Sequence, residues 1–426
     1  MHAFDIAVIG AGLSGSLTVI NLLNASTKPL RIGVFEREAR RVGRGVAYSN
    51  AFDYQPLNVN VEGMTLYASE PLHFYNWLNA NNTRYKLPDD FSTKSFVSRR
   101  WFGDYLQHEL ATGIAAHPQH TVQFVQAEVN AASRTPKGIA LVANDGRSFQ
   151  CRRVVLALGN FPPSTIPSDD LNYVHHPHYE PNPWRDGLLE AIGPEEKVLF
   201  VGAGLTMIDL LINLKEQGHR NMAYVISRSG LLPSLHQPYE RKAIAWNTDD
   251  FHQGLLHLLK TVRSRIKSEA ANGVDWRCVV DSLREHTPRI WRALSPDDKR
   301  MFFRRLRAYW DMHRHRVPPF SHGLVQDFLN GNKARLLAGR IQNIRQHNDG
   351  FLVSFRLKHS AGLSEFFVHR IVNCTGPESN FKNLNQALVR NLLYQGFVQQ
   401  DSTALGLLAD ADGRLIDTHQ RAQDDL

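Results

Sequence analysis

The sequence predicts an α/β protein of two Rossmann-like dinucleotide-binding domains, the second inserted in the first and carrying a helical insert of its own. Three observations carry this reading. One glycine fingerprint runs Gly10-Ala11-Gly12-Leu13-Ser14-Gly15, and a second runs Gly202-Ala203-Gly204-Leu205-Thr206. Each follows a short apolar strand and opens a helix. Between roughly residues 240 and 330 the pattern turns strongly helical, and strands return only at 351–357 and 366–373.

In the first fingerprint Asp5 to Ile9 is an apolar run too short for a helix, so it reads as a buried parallel strand. Gly10 allows the tight turn, Gly12 removes a Cβ so that backbone can approach a pyrophosphate, and Gly15 lets the helix pack closely on the strand. That helix, about Ser14 to Leu23, directs its first N–H groups and positive dipole end at the phosphates. Such a motif calls for an acid at the end of the next strand, about 20 residues on. Arg31 to Phe35 is that strand and Glu36 ends it. Glu36 accepts from the ribose hydroxyls of an adenosine and repels a 2′-phosphate. The competing reading is an ordinary strand–turn–helix that happens to be rich in glycine.

The second fingerprint differs in two ways. Met207 stands where the third glycine would be, and the next strand, Ala223 to Ile226, ends in Ser227-Arg228-Ser229 rather than an acid. An arginine and two hydroxyls suit a 2′-phosphate, so the expected ligand is NADP rather than NAD. The helix from Thr206 to Glu216 keeps Ile208, Leu211 and Ile212 on one face, as a helix packed on a sheet does. The competing reading is a vestigial repeat, its turn crowded by Met207.

A chain of 426 residues holds two or three domains with ample core. No apolar stretch is long enough to span a membrane, and the first strand starts too early to leave room for a signal peptide. Three scattered cysteines, Cys151, Cys278 and Cys374, form no CxxC pair. That disfavours a thiol–disulfide reductase and a zinc site, so no metal is expected, and it points to a reducing, cytoplasmic setting. Net charge is +8. Two anionic dinucleotides account for it, and no aromatic-rich basic strand suggests nucleic acid.

Between the fingerprints lie a glycine-punctuated loop, Val42 to Tyr48, the segment Pro56 to Asn60, helices over 71–79 and 102–110, and strands over 121–129 and 138–155 with a turn at Asn144-Asp145-Gly146. A stretch rich in Pro and His, 163–196, marks the crossing between domains. In the insert, Leu255, Leu259, Val262 and Ile266 share one helical face, and Phe302, Leu306, Tyr309 and Trp310 another. Arg314 and Arg316 are candidate clamps for an anionic substrate group, with a plain surface role as the competing reading.

Taken together, Gly43-Arg44-Gly45-Val46-Ala47-Tyr48, Leu57-Asn58-Val59, Gly63-Met64, Gly204-Leu205-Thr206, Asp209 and Ser227 to Pro233 resemble a bacterial family of FAD-NAD(P)-binding proteins. The family is similar to flavin-dependent N-hydroxylases and other class B monooxygenases. The resemblance covers nearly the whole chain. It implies FAD in the first domain and NADPH in the second. The chain would leave the FAD domain at Ala157-Leu158-Gly159 and re-enter it at Thr375-Gly376. The resulting boundaries are 1–165 and 333–426 for the FAD domain and 166–332 for the NAD(P) domain.

Gly10 to Gly15, Glu36, Arg37, Gly45, Val46, Asn58, Val129, Gly159 and Gly376 are then expected at FAD, with Asn58 near the isoalloxazine. Gly202, Gly204, Leu205, Thr206, Ser227 and Arg228 are expected at NADPH. His175 or His176 falls where class B enzymes carry a linker histidine, against the simpler reading of a surface turn. The resemblance also implies a last strand and helix beyond Asp412-Gly413-Arg414. The sequence ends at Leu426 without them, so weakened FAD retention and an exposed sheet edge are expected.

The reading that follows is an FAD-dependent oxidoreductase reduced by NADPH, monooxygenase-like, acting on a small molecule. A simple NAD(P)H dehydrogenase and a non-catalytic binding protein on the same fold are the alternatives. No catalytic acid or base, and no oligomeric state, is legible.

Overall fold

The computed structural model describes residues 2–49, 52 and 54–426 and divides into two compact units. The first runs as far as Pro162 and resumes at Pro377–Leu426; the second is Pro163–Gly376.

The first unit holds strands β1 His2–Ile9, β2 Arg31–Glu36, β3 Thr121–Gln126, β4 Val129–Thr135, β5 Gly138–Ala143 and β6 Ser148–Leu156. They form one sheet in the order β3-β2-β1-β6-β5-β4. The four strands β3, β2, β1 and β6 run parallel, and β5 and β4 return antiparallel. The register aligns Ile9 with both Phe35 and Leu156, so the chain leaves β1, β2 and β6 at one level. The aromatic rings of Phe4, Phe35 and Phe149 meet at 5.0–6.2 Å in the core of this sheet. Helix Ala387–Tyr394 covers the edge strand β4. There the Ala132 N–H donates to the Asn391 side chain and the Ala132 carbonyl accepts from Gln395, which blocks further strand pairing at that residue.

The sheet edge expected to be exposed is covered in part. β5 pairs with β6 only up to Cys151, and beyond it the Val154 N–H donates to the Asp425 carbonyl. Arg134 holds that segment through Asp425 and Gln423. Leu426 packs against the core beneath it.

The second unit holds β7 Tyr179–Glu180, β8 Val198–Val201, β9 Ala223–Ser227, β10 Ala334–His347, β11 Gly350–Leu357, β12 Leu363–Val368 and β13 Arg370–Asn373. The sheet order is β12-β11-β10-β9-β8-β13-β7. Residues 333–376, expected in the first domain, belong here instead. β10 pairs in parallel with β9, and β13 in parallel with β8, so both halves of this segment are built into the second sheet. The two units therefore repeat one plan: a fingerprint strand (β1, β8) flanked by its next strand (β2, β9) and by a late-arriving strand (β6, β13).

Helices between Leu255 and Asn330 make up the insert. The expected stripe Phe302–Leu306–Tyr309 is broken, because Phe302–Leu306 is a π-helical turn that shifts the register by a residue. Tyr309 is 51% exposed.

Candidate dinucleotide-binding sites

At the first site β1 delivers Gly10 with φ +101°, its N–H donating to the Phe35 carbonyl at 2.8 Å. A Cβ on Gly10 would lie 2.2 Å from the Ala157 carbonyl oxygen, so the loop turns directly against the end of β6. Gly12 is the N-cap of helix Leu13–Ala25, and no side chain caps that helix. Its free N–H groups and positive dipole end thus suit a diphosphate. A Cβ on Gly15 would lie 1.9 Å from the Gly10 carbonyl oxygen, so only glycine permits this helix–loop spacing.

Glu36 ends β2, and its carboxylate accepts from the Ala11 and Glu38 N–H groups, each at 3.2 Å. Those bonds hold the acid beside the fingerprint loop. Gly45 lies across from Gly12, with its Cα 3.2 Å from where a Gly12 Cβ would be, and Gly43 N–H donates to the Ala11 carbonyl at 2.8 Å. Gly159 has φ +70° and open space where a Cβ would stand.

The first site therefore gathers Gly10, Ala11, Gly12, Leu13, Ser14, Gly15, Glu36 and Gly45, with Val46 next along. Arg37 is an outlying member, 3.6 Å from Glu128 and half-exposed. Val129 is core, buried in the cluster that contains Phe35 and Phe149. Asn58 is half-buried and follows Leu57, whose N–H donates to the Val97 carbonyl. Leu57 belongs to an aromatic cluster that packs on Leu13 and Tyr48, which ties Asn58 to the fingerprint only indirectly. Arg41, in the short turn just before the loop Val42–Tyr48, is a further candidate. Its guanidinium is buried, pairs with Glu38 at 2.9 Å and leaves Nε without an acceptor. A lone arginine in a turn of several arginines gives no such signal.

The second site repeats the geometry. Gly202 has φ +115°, donates to the Ile226 carbonyl at 2.8 Å, and has the Cys374 carbonyl oxygen 2.2 Å from its missing Cβ. Gly204 caps helix Leu205–Glu216 with open space about it and no capping side chain, and Thr206 lies in the first turn. Met207, at the place of a third glycine, is fully buried.

Arg228 is exposed just past β9 and makes no ion pair among the described residues. Ser227 Oγ accepts the Gly230 N–H at 3.0 Å, which orients the loop and leaves the Ser227 hydroxyl hydrogen available. Gly376, expected at FAD, is the last residue of the second unit, with φ +92° and open space where a Cβ would stand. It follows Cys374 and Thr375, whose backbone lies against Gly202. It is the counterpart of Gly159 at the first site.

The remaining candidates lie in the second unit. His176 packs edge-on against Phe351 at 4.7 Å, and its Nδ1 accepts the His178 N–H. His175 is exposed at the end of a short turn. Arg316 is buried with Asp281 as its acceptor, and Arg314 contacts the neighbouring His315. All three thiols are free and buried, and burial pushes the Cys151 thiol up to about 12.

Two histidines of the second unit, His219 buried and His236 half-buried, set a pH dependence. Burial lowers the pKa of His219, whose Nε2–H donates to the Glu196 carbonyl, and of His236, where Arg316 adds to the effect. The unfolded chain takes up protons at these groups near the ordinary value of 6.5, the folded chain only below it. Their stabilisation is complete above that value and is lost as pH falls. The melting temperature should therefore drop between about pH 7.5 and about pH 5.5, and His219→Gln should reduce the drop. Thermal scans across that range check it; a flat profile refutes it.

Residues 7–161 match a family model described as FAD-NAD(P)-binding. A sequence search of curated proteins finds no match. Among solved structures, the chain is similar to the ornithine N-hydroxylase of Kutzneria sp. 744, described with FADred, NADP+ and L-orn. The TM-score is 0.61 at 17% identity, over 99% of this chain and 91% of that one. It is similar to the reduced form of ornithine hydroxylase from Pseudomonas aeruginosa, with TM-score 0.63 at 15% identity over 98% and 90%. It is also similar to L-lysine 6-monooxygenase from Pseudomonas syringae, with TM-score 0.62 at 16% identity over 97% and 87%. The mixed α/β architecture is thus that of two-domain, Rossmann-like flavoproteins. No helix among the described residues is long and apolar enough to cross a membrane.

Proposed function

We propose that this chain is an FAD-dependent oxidoreductase reduced by NADPH, of the monooxygenase type, acting on a small-molecule amine. The observation that carries the reading is the repeated site. Two helix N-termini without a capping side chain each follow a left-handed glycine turned against a neighbouring strand end, Gly10 and Gly202, and each is followed by a different strand-end chemistry. Glu36 suits the ribose of FAD, and Arg228 with Ser227 suits a 2′-phosphate. The solved structures of the same fold act on ornithine and lysine, which supports an amine as substrate. Three free, buried cysteines fit a reducing compartment such as the cytoplasm.

Bound FAD supplies hydride acceptance from NADPH and, once reduced, reaction with oxygen. The protein's part is binding and orientation. The backbone N–H groups of Leu13 and Ser14 receive the first diphosphate, and Glu36 orients the adenosine ribose. The N–H groups of Leu205 and Thr206 receive the second diphosphate, and Arg228 selects NADPH. Val129, the first residue of β4, belongs to the FAD site with its side chain turned into the core.

The test is spectroscopic. The full chain reconstituted with FAD should lose its visible flavin absorbance under anaerobic NADPH, and regain it when air is admitted. An FAD-loaded chain that does not bleach would reject an NADPH-reduced oxidoreductase and favour a non-catalytic binding protein. A chain that bleaches but reoxidises no faster than free reduced flavin would favour a dehydrogenase.

A further inference from the structure

We infer that Asp104, with Gln107, is a positioning residue for the FAD site, acting by clamping the loop Val42–Tyr48 against the first fingerprint. The inference rests on the first site being an FAD site. The loop forms the wall opposite the fingerprint: Gly43 donates to Ala11, and Gly45 stands against Gly12. The loop carries two glycines with positive φ, and its apolar anchors sit near its two ends, Val42 against the Val8–Val34 core and Tyr48 against Phe102 at 5.0 Å, so its middle depends on polar contacts.

The grip comes from one face of helix Arg99–Ala116. Gly103, Asp104 and Gln107 occupy adjacent places on that face. The Asp104 carboxylate, 9% exposed, ion-pairs with the Arg44 guanidinium and also accepts from Tyr85 Oη at 3.0 Å and Arg84 at 3.2 Å. Gln107 Nε2 donates to the Val42 carbonyl at 2.7 Å. Gly103 lets the loop approach: a Cβ there would lie 2.9 Å from the Tyr48 carbonyl oxygen.

Two consequences follow. Arg44, the one arginine inside the glycine loop, is engaged with Asp104 and holds the loop rather than the cofactor. And a buried carboxylate that loses its charge leaves the Arg44 guanidinium without its counter-ion, so the loop relaxes away from Gly12. The effect falls on FAD affinity, while the second unit is untouched.

FAD titrated into the full chain, followed by quenching of flavin fluorescence well below the melting temperature, tests this. Asp104→Asn should weaken FAD binding at least about tenfold, and Gln107→Ala about threefold. NADP+ affinity should stay within about twofold of the wild type in both variants, since its site lies in the other unit. A loss of fold stability alone would lower the melting temperature and leave the FAD dissociation constant in place. Should Asp104→Asn fail to fold by circular dichroism, Gln107→Ala decides. FAD affinity within about twofold of the wild type in the folded variants overturns the inference. Absence of FAD binding by the wild-type chain overturns the reading of the site itself.

Discussion

Gly12→Ala should weaken FAD binding by about a hundredfold or more while leaving the melting temperature within a few degrees of the wild type. The separation of the two effects follows from geometry. Gly12 has φ −73°, a value alanine adopts freely, so the backbone carries no strain. Its new Cβ would meet only the Gly45 Cα, at 3.2 Å, and a loop shift of a few tenths of an ångström relieves that. The same methyl group stands where a diphosphate must approach the first N–H groups of the helix. Losing two charge-assisted hydrogen bonds, each worth about 1.5–3 kcal/mol, accounts for the expected affinity change. Gly10→Ala is the contrasting control. There the backbone is left-handed, at φ +101°, and the Cβ would lie 2.2 Å from the Ala157 oxygen, so β1 and β6 must part. That variant should lose stability before cofactor binding can be assayed. Fluorescence titration of FAD together with thermal melting distinguishes the two; Gly12→Ala binding FAD like the wild type would remove the diphosphate from this loop.

Arg228→Ala should weaken NADPH by about ten- to a hundredfold and leave NADH nearly unchanged. The guanidinium is exposed and makes no ion pair among the described residues, so its removal strands no buried charge and costs little stability. Its expected contribution is one charge-assisted, bidentate contact to a phosphate that NADH lacks, about 1.5–3 kcal/mol. Rates of anaerobic flavin reduction against the concentration of each nicotinamide measure the ratio. Equal losses for the two would mean that Arg228 contacts something common to both, and the 2′-phosphate assignment would fall.

Both variants concern residues legible from spacing alone, and the reason is locality. The strand, turn, helix and strand-end residue of a fingerprint lie within about 30 residues and follow from short-range rules on φ, Cβ clearance and apolar runs. Gly10, Gly12, Gly15 and Glu36 were therefore open to inspection, as were Gly202, Gly204 and Arg228. The same local rules misled where packing decides. Arg316 reads either as a clamp for an anionic substrate group or as a plain surface arginine, yet Asp281, 35 residues away, holds it inside.

The sequence by itself determined that this is an α/β protein with two dinucleotide fingerprints of different chemistry, an acid closing one and an arginine the other. Only the tertiary structure decided which late strand serves which site. β13 pairs with β8, and the Cys374 and Thr375 backbone just past it lies against Gly202. It likewise decided that Asp104 and Gln107 hold the loop facing Gly12, more than 50 residues from it in sequence. Strand order and helix–loop contacts of that range depend on which apolar faces bury one another, and no local spacing records that choice.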